Sequence, residues 1–339
     1  MVGGKVLNYK NIWFEGAKLC FIDQTKLPFK FSIFTSKDYR QTAAAIKEMK
    51  VRGAPAIGVA AAYGLAQAAL EFNGQNLDGL VAQIKKASSV MKGARPTAVD
   101  LFNAVDEILK VMKKGRSVKE CRELILSRAE ALAEENLQAC KKIGENGEKL
   151  IKNNSSILTH CNAGALACVD YGTALAPVRL AHSRGKKIFV FVDETRPRLQ
   201  GALTAWELQN EGIPHALIVD NAAGFYMKRK EVNMCIVGAD RIVVKNGYLA
   251  NKIGTYEKAV LAKENGIPFY VAAPMSSFDF GAKNEIKIEE RSENEILFIG
   301  GERIFAKGTR AKNPAFDITP LKYVTAVITE TGVFKPREL

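Results

Sequence analysis

"SSILTHCNAGALA", residues 155–167, opens the part of the chain that decides the fold. Its first residues are short, apolar and β-branched, and at Cys161-Asn162-Ala163-Gly164 the pattern turns toward helix formers. Four further runs repeat the switch: KIFVFVD (187–193), PHALIVD (214–220), MCIVGAD (234–240) and PFYVAA (268–273), each followed or separated by segments read as helix. Parallel strands cannot be joined by tight turns and need long crossovers, so this alternation predicts a parallel sheet with helices on both faces. KYVTAVIT (322–329) predicts an added edge strand.

Upstream, KLCFID (18–23) and KFSIF (30–34) predict a small antiparallel sheet. Helical periodicity follows in 37–49, after Pro55, in 76–92, 97–114 and 118–151. Ser117 with Glu120 three residues on is the pattern of a capping box at the head of the last of these. The expected organisation is α/β: a small-sheet and helical N-terminal domain over 1–152, then a Rossmann-like domain over 153–339. The polar string KNNSS marks the boundary.

Composition bounds the functional class. With 47% apolar and 25% charged residues the chain reads as an ordinary globular protein. The 49 Lys and Arg against 36 Asp and Glu leave +13, which suits an anionic ligand. That charge is dispersed, and the densest cluster is Lys228-Arg229-Lys230, so we expect a small anion rather than a nucleic acid. The six cysteines form no C-x-x-C pair, which points to a reducing, cytoplasmic compartment. The uncharged run from Gly53 to Leu70 is Ala- and Gly-rich and holds Pro55 and Gln67, so it predicts a buried helix and no membrane partner.

In an open parallel sheet, ligands bind outside the carboxyl ends of the strands. The first polar residues after successive runs are His160 and Cys161, Asp193 and Glu194, Asp220, and Asp240, all expected at one edge. No dinucleotide fingerprint or P-loop occurs, and His160, His182 and His215 lack metal-ligand spacing, so no metal is expected. Three places could meet phosphate: Arg52-Gly53-Ala54-Pro55 before a helix, Arg95-Pro96-Thr97 before another, and Asn251-Lys252 beside Gly254.

RGAPAIGVAAAYGLA (52–66), ARPTAVDLF (94–102), LTHCNAGALA (158–167), ETRPRLQGALTAWELQNEGIP (194–214), VGADRI (237–242) and the run from Asn246 to Pro274 resemble one family. It is the family of the methylthioribose-1-phosphate isomerases, which also includes regulatory subunits of the translation-initiation guanine-nucleotide exchange factor. The resemblance implies a cofactor-free aldose-to-ketose isomerisation of a sugar phosphate and a homodimer formed through the C-terminal domain. It implies that Asp240 is the proton donor and that Cys161 stabilises the transition state. Substrate contacts carried over are Arg52, Gly53, Ala54, Arg95, Gln200, Asn251 and Lys252. Two departures stand out. Gln200-Gly201-Ala202-Leu203-Thr204 lacks the arginine usual before that Leu-Thr, and Asp220-Asn221-Ala222-Ala223 replaces a commoner Asp-Ser-Met-Ala.

The implied chemistry sets two physical expectations. Asp240, after five small or apolar residues, should be buried enough to favour its protonated form. Cys161 should sit at free amides and the start of a helix, which favours a thiolate. Isomerases for neighbouring sugar phosphates, and a non-catalytic initiation-factor-binding subunit, remain the competing expectations.

Overall fold

The computed structural model describes residues 9–95, 98–281 and 286–339. The chain forms two compact units: Met1–Lys141 with Ala163–Gly172, and Lys142–Asn162 with Thr173–Leu339.

In the first unit β1 (Ile12–Glu15), β2 (Lys18–Ile22) and β3 (Ile33–Ser36) form the expected antiparallel sheet, with β2 in the middle. Helices α1 (Tyr39–Lys47), α2 (Ala54–Glu71), α3 (Leu77–Ala94) and α4 (Val99–Met112) follow, and α5 (Val118–Glu148) runs on into the second unit. Local chemistry sets their starts. The Asp38 carboxylate accepts the Arg40 and Gln41 amides at 2.8 and 3.1 Å, and the Asn76 side chain accepts the Gly79 amide. Ser117 Oγ accepts from the Glu120 amide as expected, but the Glu120 carboxylate takes the N–H of Arg116, one residue short of a reciprocal box.

The Ala- and Gly-rich run is α2, buried along its whole length from Ala56 to Ala69. Small side chains on every face let α1, α3 and α4 pack closely around it. Among the described residues no helix is long and apolar enough to cross a membrane.

The second unit holds, in order, β4 (Ser155–Thr159), α6 (Leu175–Ser183), β5 (Ile188–Asp193), α7 (Gln200–Glu211), β6 (His215–Ile218), α8 (Ala223–Lys228) and β7 (Met234–Val237). Then come β8 (Arg241–Val243), β9 (Tyr248–Lys252), α9 (Thr255–Glu264), β10 (Phe269–Ala272), α10 (Asn294–Leu297) and the short pair β11 (Phe298–Ile299) and β12 (Glu302–Arg303). β13 (Phe316–Pro320), β14 (Ala326–Thr329) and β15 (Gly332–Phe334) close the chain. The main sheet runs β15-β14-β10-β7-β4-β5-β6; all its pairs are parallel except β14 with β15. The Rossmann-like expectation is thereby met. Central strands read as continuous apolar runs because both faces are covered: Ile157, Leu158 and all of β7 are buried.

Three expectations need correction. KYVTAVIT supplies β14, which is not the edge: the turn at Glu330-Thr331 folds β15 back against it. Nor does MCIVGAD lead straight into a helix. RIVVKNGYLANK first forms the antiparallel pair β8 and β9, turned at Asn246-Gly247, with β13 added on the outer side of β9. Finally, no α-helix follows Asn162-Ala163-Gly164; residues 163–172 belong to the first unit and carry only a single 3-10 turn at Ala165–Ala167, and the next α-helix begins at Leu175.

Candidate active site

The strand order locates the crevice. From β4 the chain winds outward to β5 and β6, then returns across β4 to start β7 and winds the other way to β10 and β14. The reversal falls between β4 and β7, which are hydrogen-bonded neighbours, and a ligand crevice is expected outside their carboxyl ends. Cys161 lies two residues past the end of β4, and Asp240 three past the end of β7.

Cys161 is half-buried and adopts a left-handed backbone, φ 65°. A side chain there costs about 1–2 kcal/mol, so its neighbours must hold it in place. They do so on both sides of the residue. The Cys161 amide donates to Thr195 Oγ1 at 2.8 Å, and Thr204 Oγ1 donates to the Cys161 carbonyl at 2.8 Å. Thr195 is itself left-handed, φ 60°, a rare state for a β-branched residue, and its amide is bound by Asp220 Oδ1 at 2.7 Å. Asn162 Nδ2 donates to Thr204 Oγ1 and to Glu207 Oε1, so the next residue is pinned as well. The helix dipole expected at the thiol is missing, because no helix begins there.

Gln200 is the first residue of α7 and is buried, with Oε1 lacking a hydrogen-bond partner among the described residues. A buried acceptor left open at a strand-end crevice is a place for a ligand hydroxyl. Gly201 sits against the backbone of β5, where a Cβ would come within 1.9 Å of the Asp193 carbonyl. Only glycine lets α7 start this close.

Asp240 is half-buried, less enclosed than its apolar prelude suggested, because β8 and β9 follow at once and keep it near the surface. Its amide donates to the Ala250 carbonyl at 3.0 Å, which fixes it next to Asn251. Arg241, its sequence neighbour, turns away to pair with Asp279. Asn251 and Lys252 end β9, both buried; Asn251 Nδ2 donates to Thr255 Oγ1, and Lys252 Nζ donates to the Ala315 carbonyl and lies over the Phe316 ring. Cys161, Gln200 and Asp240 thus follow the carboxyl ends of β4, β5 and β7, while Asn251 and Lys252 end β9 of the smaller antiparallel sheet, to which the Asp240 amide is bonded.

The remaining expected contacts belong to the first unit. Arg52 is buried, and Gly53 is the N-cap of α2 with φ 91°. A Cβ on Gly53 would come within 2.4 Å of the Ala167 carbonyl, so glycine is required twice over. Ala54 and Pro55 form the first turn of α2. Arg95 ends α3 and is half-buried; Pro96 and Thr97 lie outside the described residues.

Beneath the edge lies a buried polar cluster that the sequence showed only in part. His160 Nδ1 meets Asp193 Oδ2 at 2.9 Å, and Nε2 meets the Ile253 carbonyl at 2.8 Å. Lys258 Nζ, fully buried, stands 3.6 Å from Asp193 Oδ2. Asp317, from β13, accepts the Gly254 and Tyr256 amides and so occupies the start of α9. Burial pushes the Asp193 carboxyl up, while the His160 hydrogen bond and the Lys258 charge pull the other way. Burial likewise raises Asp317 against the pull of those two amides. Lys258 and Asp317 carry no sequence signal: a lysine in a helix and an acid sixty residues downstream both read as surface residues.

His160, Asp193 and Asp220 place their ligand atoms within 4.8 Å of one another, the spacing of a metal centre. Their hydrogen bonds disfavour that use. Nε2 faces a carbonyl and must carry a proton, the Nδ1 direction is taken by Asp193, and both Asp220 oxygens accept amides, of Thr195 and Arg196. The Lys258 ammonium already supplies the local cation.

Comparison with known proteins agrees with this fold. The chain is 49% identical to a methylthioribose-1-phosphate isomerase of Geobacter sulfurreducens over 96% of both chains. It superposes on the crystal structure of 5-methylthioribose 1-phosphate isomerase from Pyrococcus horikoshii OT3 with a TM-score of 0.90 and 44% identity, covering 97% of this chain and 94% of that one. The structure titled translation initiation factor eIF-2B, subunit delta, from A. fulgidus matches with a TM-score of 0.86 and 46% identity, over 97% and 96%. Residues 50–336 match the sequence profile of the initiation factor 2 subunit family, and the chain belongs to that family.

Proposed function

We propose that the chain is an aldose–ketose isomerase that converts 5-methylthioribose 1-phosphate to 5-methylthioribulose 1-phosphate, the step that gives methionine salvage its ketose. The strand order carries this reading: Cys161 and Asp240 follow the two adjacent strands at which the winding reverses. The names of relatives that match over nearly the full length support it.

The phosphate on C1 prevents ring opening through a free hemiacetal. The C1–O4 bond therefore breaks with a proton delivered to O4. Asp240 supplies that proton and recovers one from the C2 hydroxyl as C2 becomes the carbonyl. The hydrogen on C2 passes to C1, so atoms balance within the substrate and no external oxidant enters. Cys161, held rigid by its left-handed turn, lines the path of that transfer and stabilises the charge developing at C1 and C2. The open Gln200 oxygen accepts a sugar hydroxyl, and Asn251 and Lys252 hold the oxygens beside it. Arg52, Gly53, Ala54 and Arg95 are assigned to the substrate, with Arg52 and the start of α2 suited to its phosphate.

The A. fulgidus match favours one rival reading, a non-catalytic initiation-factor subunit. One assay separates them: purified protein without added cofactor, given methylthioribose 1-phosphate, deoxyribose 1-phosphate or ribose 1,5-bisphosphate, with ketose scored. We expect turnover of the first; no ketose from any of them sinks the isomerase reading, and turnover of only another moves the substrate. The proposal includes a cytoplasmic homodimer, checked by light scattering of the purified chain.

A further inference from the structure

We propose that His160 is a positioning residue for Cys161, joining through its two ring nitrogens and its own backbone the turn of Cys161, the loop from β5 that leads to Gln200, and the end of β9 that carries Asn251-Lys252. This rests on the isomerase reading of the same edge. Three observations lead to it.

The first is connectivity. His160 precedes Cys161 in the chain. Its Nδ1 binds Asp193, the last residue of β5, whose carbonyl accepts from Thr195 Oγ1 at 3.1 Å. That same hydroxyl oxygen accepts the Cys161 amide. A closed ring results: His160 side chain, Asp193, Thr195, Cys161 backbone and back to His160. Beyond Thr195 the loop continues to Gln200. Nε2 binds the carbonyl of Ile253, directly after Asn251-Lys252.

The second is burial without water to substitute. His160 is 1% exposed and Asp193 0%, so a lost hydrogen bond here has no solvent replacement. The third is charge. His160 Nδ1 and Asp193 Oδ2 meet at 2.9 Å. Around them stand Lys258 from α9, Asp220 from the loop after β6 and Asp317 from β13. Lys258 is the counter-charge for these acids, of which Asp193 is fully buried and Asp220 and Asp317 are half-buried. A cluster needed only for packing would be replaced at no loss by apolar side chains; this one ends on the strained turn of Cys161.

The test uses His160→Gln, which can fill neither contact well, and Thr195→Val, which keeps the shape but removes the acceptor of the Cys161 amide while leaving the buried charges alone. Asp193→Asn can still donate to Nδ1 and Asp193→Ala cannot. For each, kcat and KM on methylthioribose 1-phosphate, the thermal midpoint, and the iodoacetamide labelling rate of Cys161 by peptide mass spectrometry are measured. The other five cysteines are buried, so labelling reads the thiol in question. We expect kcat to fall roughly 30-fold or more in His160→Gln with KM within about threefold, and a smaller fall of the same kind in Thr195→Val. Asp193→Asn should keep roughly tenfold more kcat than Asp193→Ala. Cys161 labelling should change by roughly fivefold or more in the first two variants. Folded His160→Gln with unchanged kcat and unchanged labelling overturns the proposal; if that variant does not fold, the same result in Thr195→Val does so. Wild-type protein that makes no ketose defeats the isomerase reading alone, since labelling still reports on the turn.

Discussion

Replacing Gly201 by alanine adds one methyl group, and the structure allows its effect to be worked out. The new Cβ would lie 1.9 Å from the Asp193 carbonyl oxygen and 2.8 Å from the Glu194 Cα, both backbone atoms. Since real contacts stop near 3.0 Å, the start of α7 must retreat by about 1 Å. No side chain can swing aside, and the Gly201 amide is itself bonded to the Glu194 carbonyl at 3.1 Å, so retreat stretches that bond too. Two terms of opposite sign compete. Alanine is the better helix former by about 1 kcal/mol. Overpacking against rigid backbone costs roughly 3 kcal/mol, the upper end of its usual range. The loss wins by ~2 kcal/mol, or a fall in thermal midpoint of roughly 4–8 °C for a unit of this size. Activity should suffer more than stability, because Gln200 moves with the helix and a displacement of about 1 Å can cost ~100-fold in rate. Differential scanning calorimetry and the ketose assay on the same preparation check both numbers. A variant with wild-type midpoint and wild-type kcat would show that α7 does not approach β5 this closely, and the account of Gln200 would fall with it.

Asp240→Asn should abolish turnover while the thermal midpoint stays within about 2 °C, as befits a half-buried group; retained ketose formation removes Asp240 as acid. For Cys161→Ser we expect kcat to fall ~100-fold or more with little change in midpoint, whereas a large loss of stability would make it a packing residue. Arg52→Ala should raise KM by roughly tenfold or more through lost phosphate binding, and an unchanged KM refutes that role. Glu148 gives a pH prediction. Lys186, by hydrogen bond and charge, and Arg184 hold its carboxyl below the usual value of 4.5. A depressed carboxyl stabilises the fold above its unfolded pKa and loses that contribution as pH falls through the folded one. Glu148→Gln should therefore cost ~1.5–3 kcal/mol at pH 7, and the gap to wild type should close on acidification below 4.5. A gap that does not change with pH would mean the loss is steric.

Much of this edge was legible because parallel strands announce themselves. KIFVFVD and MCIVGAD are continuous apolar runs ending in an acid, and an acid that ends a buried strand has to lie at its carboxyl end. Alternation with helices then puts those ends together. What stayed hidden depends on contacts distant in sequence or on backbone states that residue types do not declare. Asp317 caps α9 across sixty-odd residues, and Lys258 is indistinguishable in sequence from any helix-surface lysine. Asn246-Gly247 is a hairpin signal inside what read as a strand-to-helix passage, and it explains why Asp240 is less enclosed than expected. The helix expected after Asn162-Ala163-Gly164 failed because Ala-Gly-Ala-Leu-Ala has helical propensity, yet its residues belong to the first unit, and tertiary placement outweighs propensity over so few residues.

The left-handed turn at Cys161 links these two kinds of information. A thiol that merely filled space at the end of β4 would sit in extended backbone, where a small apolar side chain is free to pack and no cost arises. Here the backbone is turned into a region worth about 1–2 kcal/mol of strain, and the same price recurs at Thr195 and again at Leu199, φ 56°, just before Gln200. Three such residues thus stand on the loops after β4 and β5. Each is held by hydrogen bonds to side chains or backbone of the same edge: Thr195 and Thr204 on Cys161, Asp220 on Thr195, and the Thr195 carbonyl on the Leu199 amide. The buried, hydrogen-bonded polar groups of His160, Asp193 and Lys258 supply a base stiff enough to sustain that strain, which a purely apolar base, free to relax by small shifts, would release. The direction in which Cys161 and Gln200 leave their strands is therefore set by the polar cluster beneath them, and substitutions in that cluster should move chemistry before they move the fold.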